Sequence, residues 1–378
     1  MVQPLFENIE ANSLVGLETV ASPALLVFDE RIESNLQEMI RIAGSVDRLR
    51  PHCKTHKLAP IIEMEMDLGI RKHKCATLAE AEMLASCGVK DIFWAYPPVG
   101  PNIRRLQDLQ ERFPEVCIQV TADDSVLLKQ LDEAAGERGR PIEVLLDLDP
   151  GLHRTGIAAG PEAERLYQDL DRLPNLLAGG LHLYDGHNRH TDYGERLQAV
   201  KAGFDAAAEM ADRLEQAGSP VPRIVAGGTG SFPCFAEFED PRLELSPGTT
   251  VFHDAGYTRA FPEMHFEPAA WLLTRVISRP SPTRMTLDLG HKACAADPPA
   301  GKRLHFPGLP DAAEVMQNEE HLVLEYEGAD RFQIGDMLLC VPAHICPTTA
   351  VHQEVIVVRD GQVAERWPVN SRDRRITI

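Results

Sequence analysis

Two absences set the first limits on this chain. No apolar run reaches the roughly 18 residues expected of a membrane-spanning helix, and the opening stretch MVQPLFENIEANS has no basic segment leading into an apolar one. Neither a membrane partner nor a secretory leader is expected. Positive charge is also in deficit: 38 Lys and Arg stand against 57 Asp and Glu, a formal net charge of −19. A general binder of phosphate backbones needs a basic face, so nucleic acid is not expected as a partner. A small anionic substrate is still compatible, because a local cluster of donors can outweigh the global sign. The eight cysteines, at positions 53, 75, 87, 117, 234, 294, 340 and 346, form no C-x-x-C pair. Most sit in apolar runs, where a thiol acts as a small hydrophobe, and a reduced cytoplasmic protein is the expectation.

What is present reads as an ordinary globular protein, with 44% hydrophobic and 25% charged residues in 378. That length exceeds the size at which one core stops growing, so a large and a smaller domain are expected. From about residue 23 to 255, short β-rich runs alternate with stretches of helical period. Strand candidates are 49–53, 73–76, 91–96, 117–121, 142–149, 179–184, 223–228 and 249–252. Eight such alternations predict a (β/α)8 barrel of the TIM type over residues 23–258, with an open doubly wound sheet as its rival. Beyond 260, segments such as HLVLEYEG, DMLLCVP and EVIVVRDGQVAERWPV read as antiparallel strands separated by Gly, Pro and Asp. Residues 259–378 are therefore expected to form a β domain, joined by residues 1–22, which could add a strand to it.

In a barrel, catalytic groups collect where strands end. That rule selects Lys54 after the first strand candidate, Asp147, Asp149 and Arg154 around the fifth, and His182, Tyr184 and His187 around the sixth. The loop GGTGS, with Gly228, Thr229, Gly230 and Ser231, ends the seventh, and Gly248-Thr249 lies beside the eighth. Successive glycines let backbone N–H groups converge on an anion, and Ser231 adds a hydroxyl, so both loops could hold one phosphate. A lysine across the mouth from a phosphate site points to pyridoxal 5'-phosphate. Each residue alone has a plain alternative: an exposed lysine, a surface ion-pair arginine, packing residues. Farther on, VPAHICPT read as a strand puts His344 and Cys346 on one side. Imidazole plus thiolate suits a divalent metal in an open site, zinc more than manganese or magnesium. A buried cysteine beside an incidental histidine is the alternative.

The segments RPHCKTHK, CATLAEAEMLASCGVKDIFWAYPPVGP, GLHRTG, YDGH, GGTGS, SPGTTVFHD, NEEH and HICPT together resemble the D-threonine aldolase / D-serine dehydratase family. These are fold-type III pyridoxal-phosphate enzymes, related to alanine racemase, and the likeness runs in matching order from about residue 20 to 350. The resemblance implies an alanine-racemase-type barrel with a β domain. It implies that Lys54 is the covalent anchor of the cofactor, with Lys57 a helix-start residue, and that a divalent metal sits on His344 and Cys346. The family's aldolases carry aspartate where Cys346 stands, and its dehydratases carry cysteine. The expected substrate is a small β-hydroxy-D-amino acid. Cleavage to glycine and an aldehyde is the expected reaction, with dehydration and loss of ammonia as the alternative. Arg154 and Tyr184 are the expected contacts to the cofactor ring, and His187 and His321 the candidate bases at the substrate hydroxyl. A homodimer is the expected assembly. A racemase would share fold and cofactor without evident use for His344 and Cys346. A non-catalytic pyridoxal-phosphate carrier would lack the residues after 260.

Overall fold

A computed structural model describes residues 6–378. In chain order its strands are β1 (Ala24–Phe28), β2 (Lys72–Cys75), β3 (Asp91–Trp94), β4 (Cys117–Ala122), β5 (Ile142–Leu148), β6 (Leu176–Leu183), β7 (Ile224–Ala226), β8 (Leu243–Leu245), β9 (Ala270–Ser281), β10 (Arg284–Leu287), β11 (Leu304–His305), β12 (Ala313–Gln317), β13 (Leu322–Glu325), β14 (Met337–Pro342), β15 (Glu354–Arg359) and β16 (Gln362–Pro368). The chain divides into two compact units. One comprises Met39–Lys54, Ile61–Gly248 and Arg374–Ile378; the other comprises the described residues up to Glu38, Thr55–Pro60 and Thr249–Asp373.

In the first unit, β2 to β8 form a parallel sheet in chain order, with helices between the strands. Two of these helices start on aspartate caps: Asp124 accepts from the N–H groups of Val126 and Leu127, and Asp192 from that of Glu195. The candidate strand 49–53 is not a ladder strand. Leu49 and His52 make single bridges, to Leu245 of β8 and Lys74 of β2. The backbone bonds Arg50 N–H to Leu245 O (2.8 Å) and Lys74 N–H to Pro51 O (2.8 Å) tie both ends of the sheet to this segment. It stands as the eighth stave, and Pro51, with no N–H to give, interrupts its pairing. Candidate 249–252 is a turn, and the strand assigned to it is β8, earlier in the chain.

Register places Lys74, Phe93, Gln119 and Glu143 side by side on one face of the sheet, and likewise Asp147, His182, Val225 and Glu244. That face is layered. At its N-terminal end the fully buried Arg50 donates to Glu244 (2.5 Å) and Asp91 (2.7 Å), while Lys72 donates to Glu244 (2.8 Å). A thin apolar belt of Phe93, Leu145 and Val225 follows. Above it the strands end in Lys74, Asp147 and His182, all buried.

In the second unit a nine-stranded, mostly antiparallel sheet runs β12-β13-β10-β9-β1-β15-β16, with β14 on β9 and β11 on β14. β1 pairs antiparallel with β9 and parallel with β15. Trp271, fully buried, centres the core of this unit with Leu17, Leu26, Leu273, Val341 and Ile356. Its indole N–H donates to Pro268 O at 2.7 Å, which satisfies the one polar atom of a large apolar side chain. Residues 6–22 form 3-10 turns at Ala11–Ser13 and Leu17–Thr19 and supply no ladder strand; residues 1–5 lie outside the described residues.

The Arg50 cluster supplies a stability prediction. Two carboxylates hold the Arg50 charge, and their own pKa values are lowered against the desolvation that opposes it. Glu244→Ala should cost about 3–5 kcal/mol, because half of the partnership of a buried cation is lost. Glu244→Gln, which keeps an acceptor, should cost less. Urea denaturation followed by tryptophan fluorescence reads both.

Candidate active site

The loop after β5 is shaped by its first residue. Asp149 accepts from Gly151 N–H (2.9 Å), His153 N–H (3.0 Å) and His153 Nδ1 (2.8 Å), and these bonds hold its pKa below the ordinary carboxylate value despite desolvation. The loop closes on itself through Asp149 N–H to Ile157 O and Ile157 N–H to Asp147 O, both 3.0 Å. Gly156, at φ +94°, lies so close to Leu148 that a Cβ would meet its carbonyl carbon at 2.7 Å. This tight turn delivers Arg154 over the ring of Tyr184, 4.7 Å from the guanidinium carbon to the centroid. Lys54 approaches the same ring, its Nζ at 5.6 Å. The structure thus brings together three of the residues selected from sequence. Lys57 sits two residues before the helix Ala59–Asp67, in left-handed backbone at φ 56°, so it precedes the helix rather than starting it.

Tyr184 is itself seated on glycines. A Cβ at Gly228 would meet its ring at 2.8 Å, and one at Gly186 at 2.6 Å. Gly227 is at φ +80°, and a Cβ there would strike Phe235 at 2.7 Å. In the GGTGS loop, Gly228 N–H donates to Ser231 Oγ (3.2 Å) and Ser231 Oγ donates to Asp185 (2.7 Å). Gly248 N–H donates to Thr229 Oγ1 at 3.2 Å, which ties the two expected phosphate loops together within this unit. His187 is exposed beyond Tyr184 and lies against Gly151, where a Cβ would be 3.4 Å from its Nε2.

Beneath these residues is a buried array in which Lys74 had no place in the sequence reading. His182 Nδ1 lies 2.6 Å from Asp147 Oδ1, and its Nε2 lies 2.9 Å from Lys74 Nζ. The geometry assigns the ring proton to Nδ1, donating to the carboxylate, and leaves Nε2 to accept from Lys74. Burial, then the positive charge of Lys74, pushes His182 down to about 4 in pKa. Burial, then Lys54, pushes Lys74 down to about 7. The signal available in the sequence was the alternation Lys72-His73-Lys74 in a strand, which puts two cations on one face.

The second unit holds the remaining candidates. β14 ends at Pro342, and Ile345–Val351 is a helix with His344 at its N-cap, so 344–346 is not the strand expected and period-2 alternation does not apply. The two side chains nevertheless meet: bonds with Cys346, then Asp297, hold the His344 imidazole up to about 9. His344 Nδ1 is 2.5 Å from Asp297, and Cys346 Sγ is 3.1 Å from Thr55 Oγ1 and 3.5 Å from Thr249 Oγ1. Asp254, buried and also missed, accepts from Ile345 N–H (3.0 Å) and Tyr257 N–H (2.8 Å), so it pins the turn that presents both side chains. Burial pushes Asp254 up to about 6. His321 is exposed in the hairpin between β12 and β13. Among the described residues, no group of three or more His, Cys, Asp or Glu side chains is arranged to hold a metal ion.

Comparison with known proteins gives the class first. The family described as "Alanine racemase, N-terminal domain" matches residues 29–254, and the one described as "Putative serine dehydratase domain" matches 269–358. The chain is 32% identical to a D-threonine aldolase of Arthrobacter over 94% of each protein. It is 28% identical to a D-threo-3-hydroxyaspartate dehydratase of Delftia, covering 88% of this chain and 93% of that one. The crystal structure of D-threonine aldolase from Filomicrobium marinum superposes with a TM-score of 0.88 at 31% identity, covering 96% of this chain and 99% of that one. The fold is thus an alanine-racemase-type barrel with a second, mostly antiparallel sheet. The chain belongs to the family of D-threonine aldolases and D-3-hydroxyaspartate aldolases and dehydratases, whose members are lyases and whose cofactor is pyridoxal 5'-phosphate.

The buried histidine predicts a pH effect. His182 is neutral in the fold and titrates near 6.5 when unfolded, so the unfolded chain binds more protons between pH 6.5 and 4. This contribution is fully present above 6.5 and is lost as pH falls through that window, at most about 3 kcal/mol. His182→Gln should flatten the dependence of denaturation midpoint on pH over the same window.

Proposed function

We propose that this protein cleaves β-hydroxy-D-amino acids to glycine and an aldehyde. The observation that carries the reading is the convergence of Lys54 and Arg154 on the ring of Tyr184, at 5.6 and 4.7 Å, in a chain of this family. Pyridoxal 5'-phosphate, when bound, supplies an electron sink for the charge that develops at Cα. The residues fit it: an amine at the barrel mouth, a cation and a phenol beside it, and a loop where glycines leave room for close backbone approach. Lys54 would hold the cofactor covalently. Arg154 and Tyr184 would orient its ring, and Gly228, Thr229, Gly230, Ser231, Gly248 and Thr249 would hold its phosphate.

His344 and Cys346 would hold a divalent ion, zinc above manganese or magnesium because thiolate is a soft ligand. Asp297 on Nδ1 leaves the other ring nitrogen as donor, the usual carboxylate–histidine support of a metal ligand. Two protein ligands leave positions for substrate or water, and the ion would act there as a Lewis acid on the substrate's β-hydroxyl. His187, in the same unit as Lys54, takes the proton of that hydroxyl, with His321 as the second candidate. The protein is proposed to act as a cytoplasmic homodimer.

The second reading is dehydration, favoured by one observation: a cysteine stands beside His344, as in the dehydratase branch the sequence resembles. Ligand softness selects a metal and does not dictate which bond breaks. Incubation with D-threonine should give glycine and acetaldehyde; 2-oxobutanoate and ammonia would establish dehydration instead. Chelation should abolish turnover and leave the cofactor's absorbance in place. Full activity in protein shown metal-free by elemental analysis would make His344 and Cys346 packing residues.

A further inference from the structure

The hydroxyl of Ser231 is spent inside the protein. It donates to Asp185 Oδ1 at 2.7 Å and accepts from Gly228 N–H at 3.2 Å. A serine has one side-chain proton to give, so the group expected to face an anion as a donor is already committed. Asp185 is 3% exposed and takes a second donor on its other oxygen, Asn188 Nδ2 at 3.1 Å. Its carbonyl accepts from Asn188 N–H at 2.9 Å, which closes the turn after β6. Burial pushes the Asp185 carboxyl up in pKa, and the two side-chain donors work against that push. One strand across, Gly227 N–H donates to Leu183 O at 3.1 Å. The ends of β6 and β7 are thus joined twice, by backbone at Leu183–Gly227 and by side chain at Asp185–Ser231. Between the two ties the ring of Tyr184 rests on Gly228, where a Cβ would meet it at 2.8 Å. Beside a loop that receives an anion, a carboxylate opposes binding by its charge. What it supplies in return is a fixed loop.

Resting on the reading of the GGTGS loop as the phosphate site, we propose that Asp185 is a positioning residue for the cofactor: through the Ser231 hydroxyl it holds that loop in the shape that receives the phosphate. Ser231 then meets the phosphate through its backbone alone, and its side chain is the brace. The brace also fixes the loop to the end of β6, where Tyr184 stands. Ring and phosphate belong to one ligand of fixed covalent dimensions, so the two contacts must keep a fixed spacing, and the tie from Asp185 to Ser231 sets it. Glycines lose the most backbone freedom on ordering. A loop ordered before binding removes that cost from the binding step.

The test compares two ligands that differ only in the phosphate, and it needs no turnover. The full-length chain, freed of cofactor with hydroxylamine, is titrated with pyridoxal 5'-phosphate and, separately, with pyridoxal. The absorbance of the bound form gives both dissociation constants. Asp185→Ala should weaken pyridoxal 5'-phosphate roughly tenfold, about the loss of one hydrogen bond to a charged group, and leave pyridoxal unchanged. Asp185→Asn keeps the size and one carbonyl acceptor. It should lose less, again for the phosphorylated ligand only, and it serves if the alanine variant misfolds. Ser231→Ala should match Asp185→Ala. Combined with either Asp185 variant it should add no further loss, because both changes break one chain of bonds. An equal loss for both ligands overturns the proposal, since general loosening of the site would do the same. Losses that multiply in the double variant overturn it too, because Ser231 would then give its proton to the phosphate directly. Equal affinity of the wild type for the two ligands overturns the phosphate reading of the loop, and this proposal with it.

Discussion

The backbone pairing of residues 49–53 with both ends of the parallel sheet is the constraint on which the first unit depends. Arg50 gives its N–H to Leu245 on β8, and Pro51 and Cys53 exchange bonds with Lys74 on β2. Without that segment, β2 and β8 would be open edges and their outer backbone groups would lack partners. The same segment delivers Arg50 into the floor of the sheet face and Lys54 to its rim. One short extended piece therefore closes the sheet, neutralises its charged floor and sets the position of the amine.

The layered face explains why so much charge can be buried here. Arg50, Lys72, Asp91 and Glu244 satisfy one another at the N-terminal end, and the belt of Phe93, Leu145 and Val225 separates them from the upper layer. The upper layer is less balanced. Asp147 alone opposes Lys74, Lys54 and Arg154, so a neutral His182 and a weakened Lys74 are the electrostatic outcome. Electropositive surroundings at the strand ends suit an anionic cofactor.

Much of this arrangement was legible in the sequence, and the failures have physical causes. Alternating β and helical periods located β2 to β7 closely, because parallel buried strands read as compact apolar runs. Lys54, Arg154 and Tyr184 were selected because they follow strand candidates, and the structure gathers the two cations around the tyrosine ring. The stave 49–53 reads as a full strand from its apolar pattern, but Pro51 has no N–H to give and the segment makes only single bridges on each side. The strand β8 was displaced to 249–252, because LEL is too short to show a period. The turn at 344–346 read as strand because its cause, the carboxylate of Asp254, lies some ninety residues earlier in the chain. Lys74 escaped notice because a lysine in a strand ordinarily faces water. Only register, which puts it beside Phe93, shows that it faces inward.

The central claim is that Lys54, and not its neighbour Lys57, carries the cofactor. Borohydride reduction of the protein as purified, followed by proteolysis and peptide mapping, tests it most directly. The account predicts one pyridoxyl group, on Lys54, present in Lys57→Ala and absent from Lys54→Ala. A pyridoxyl group on Lys57, or on any lysine in the Lys54→Ala protein at wild-type yield, would contradict it.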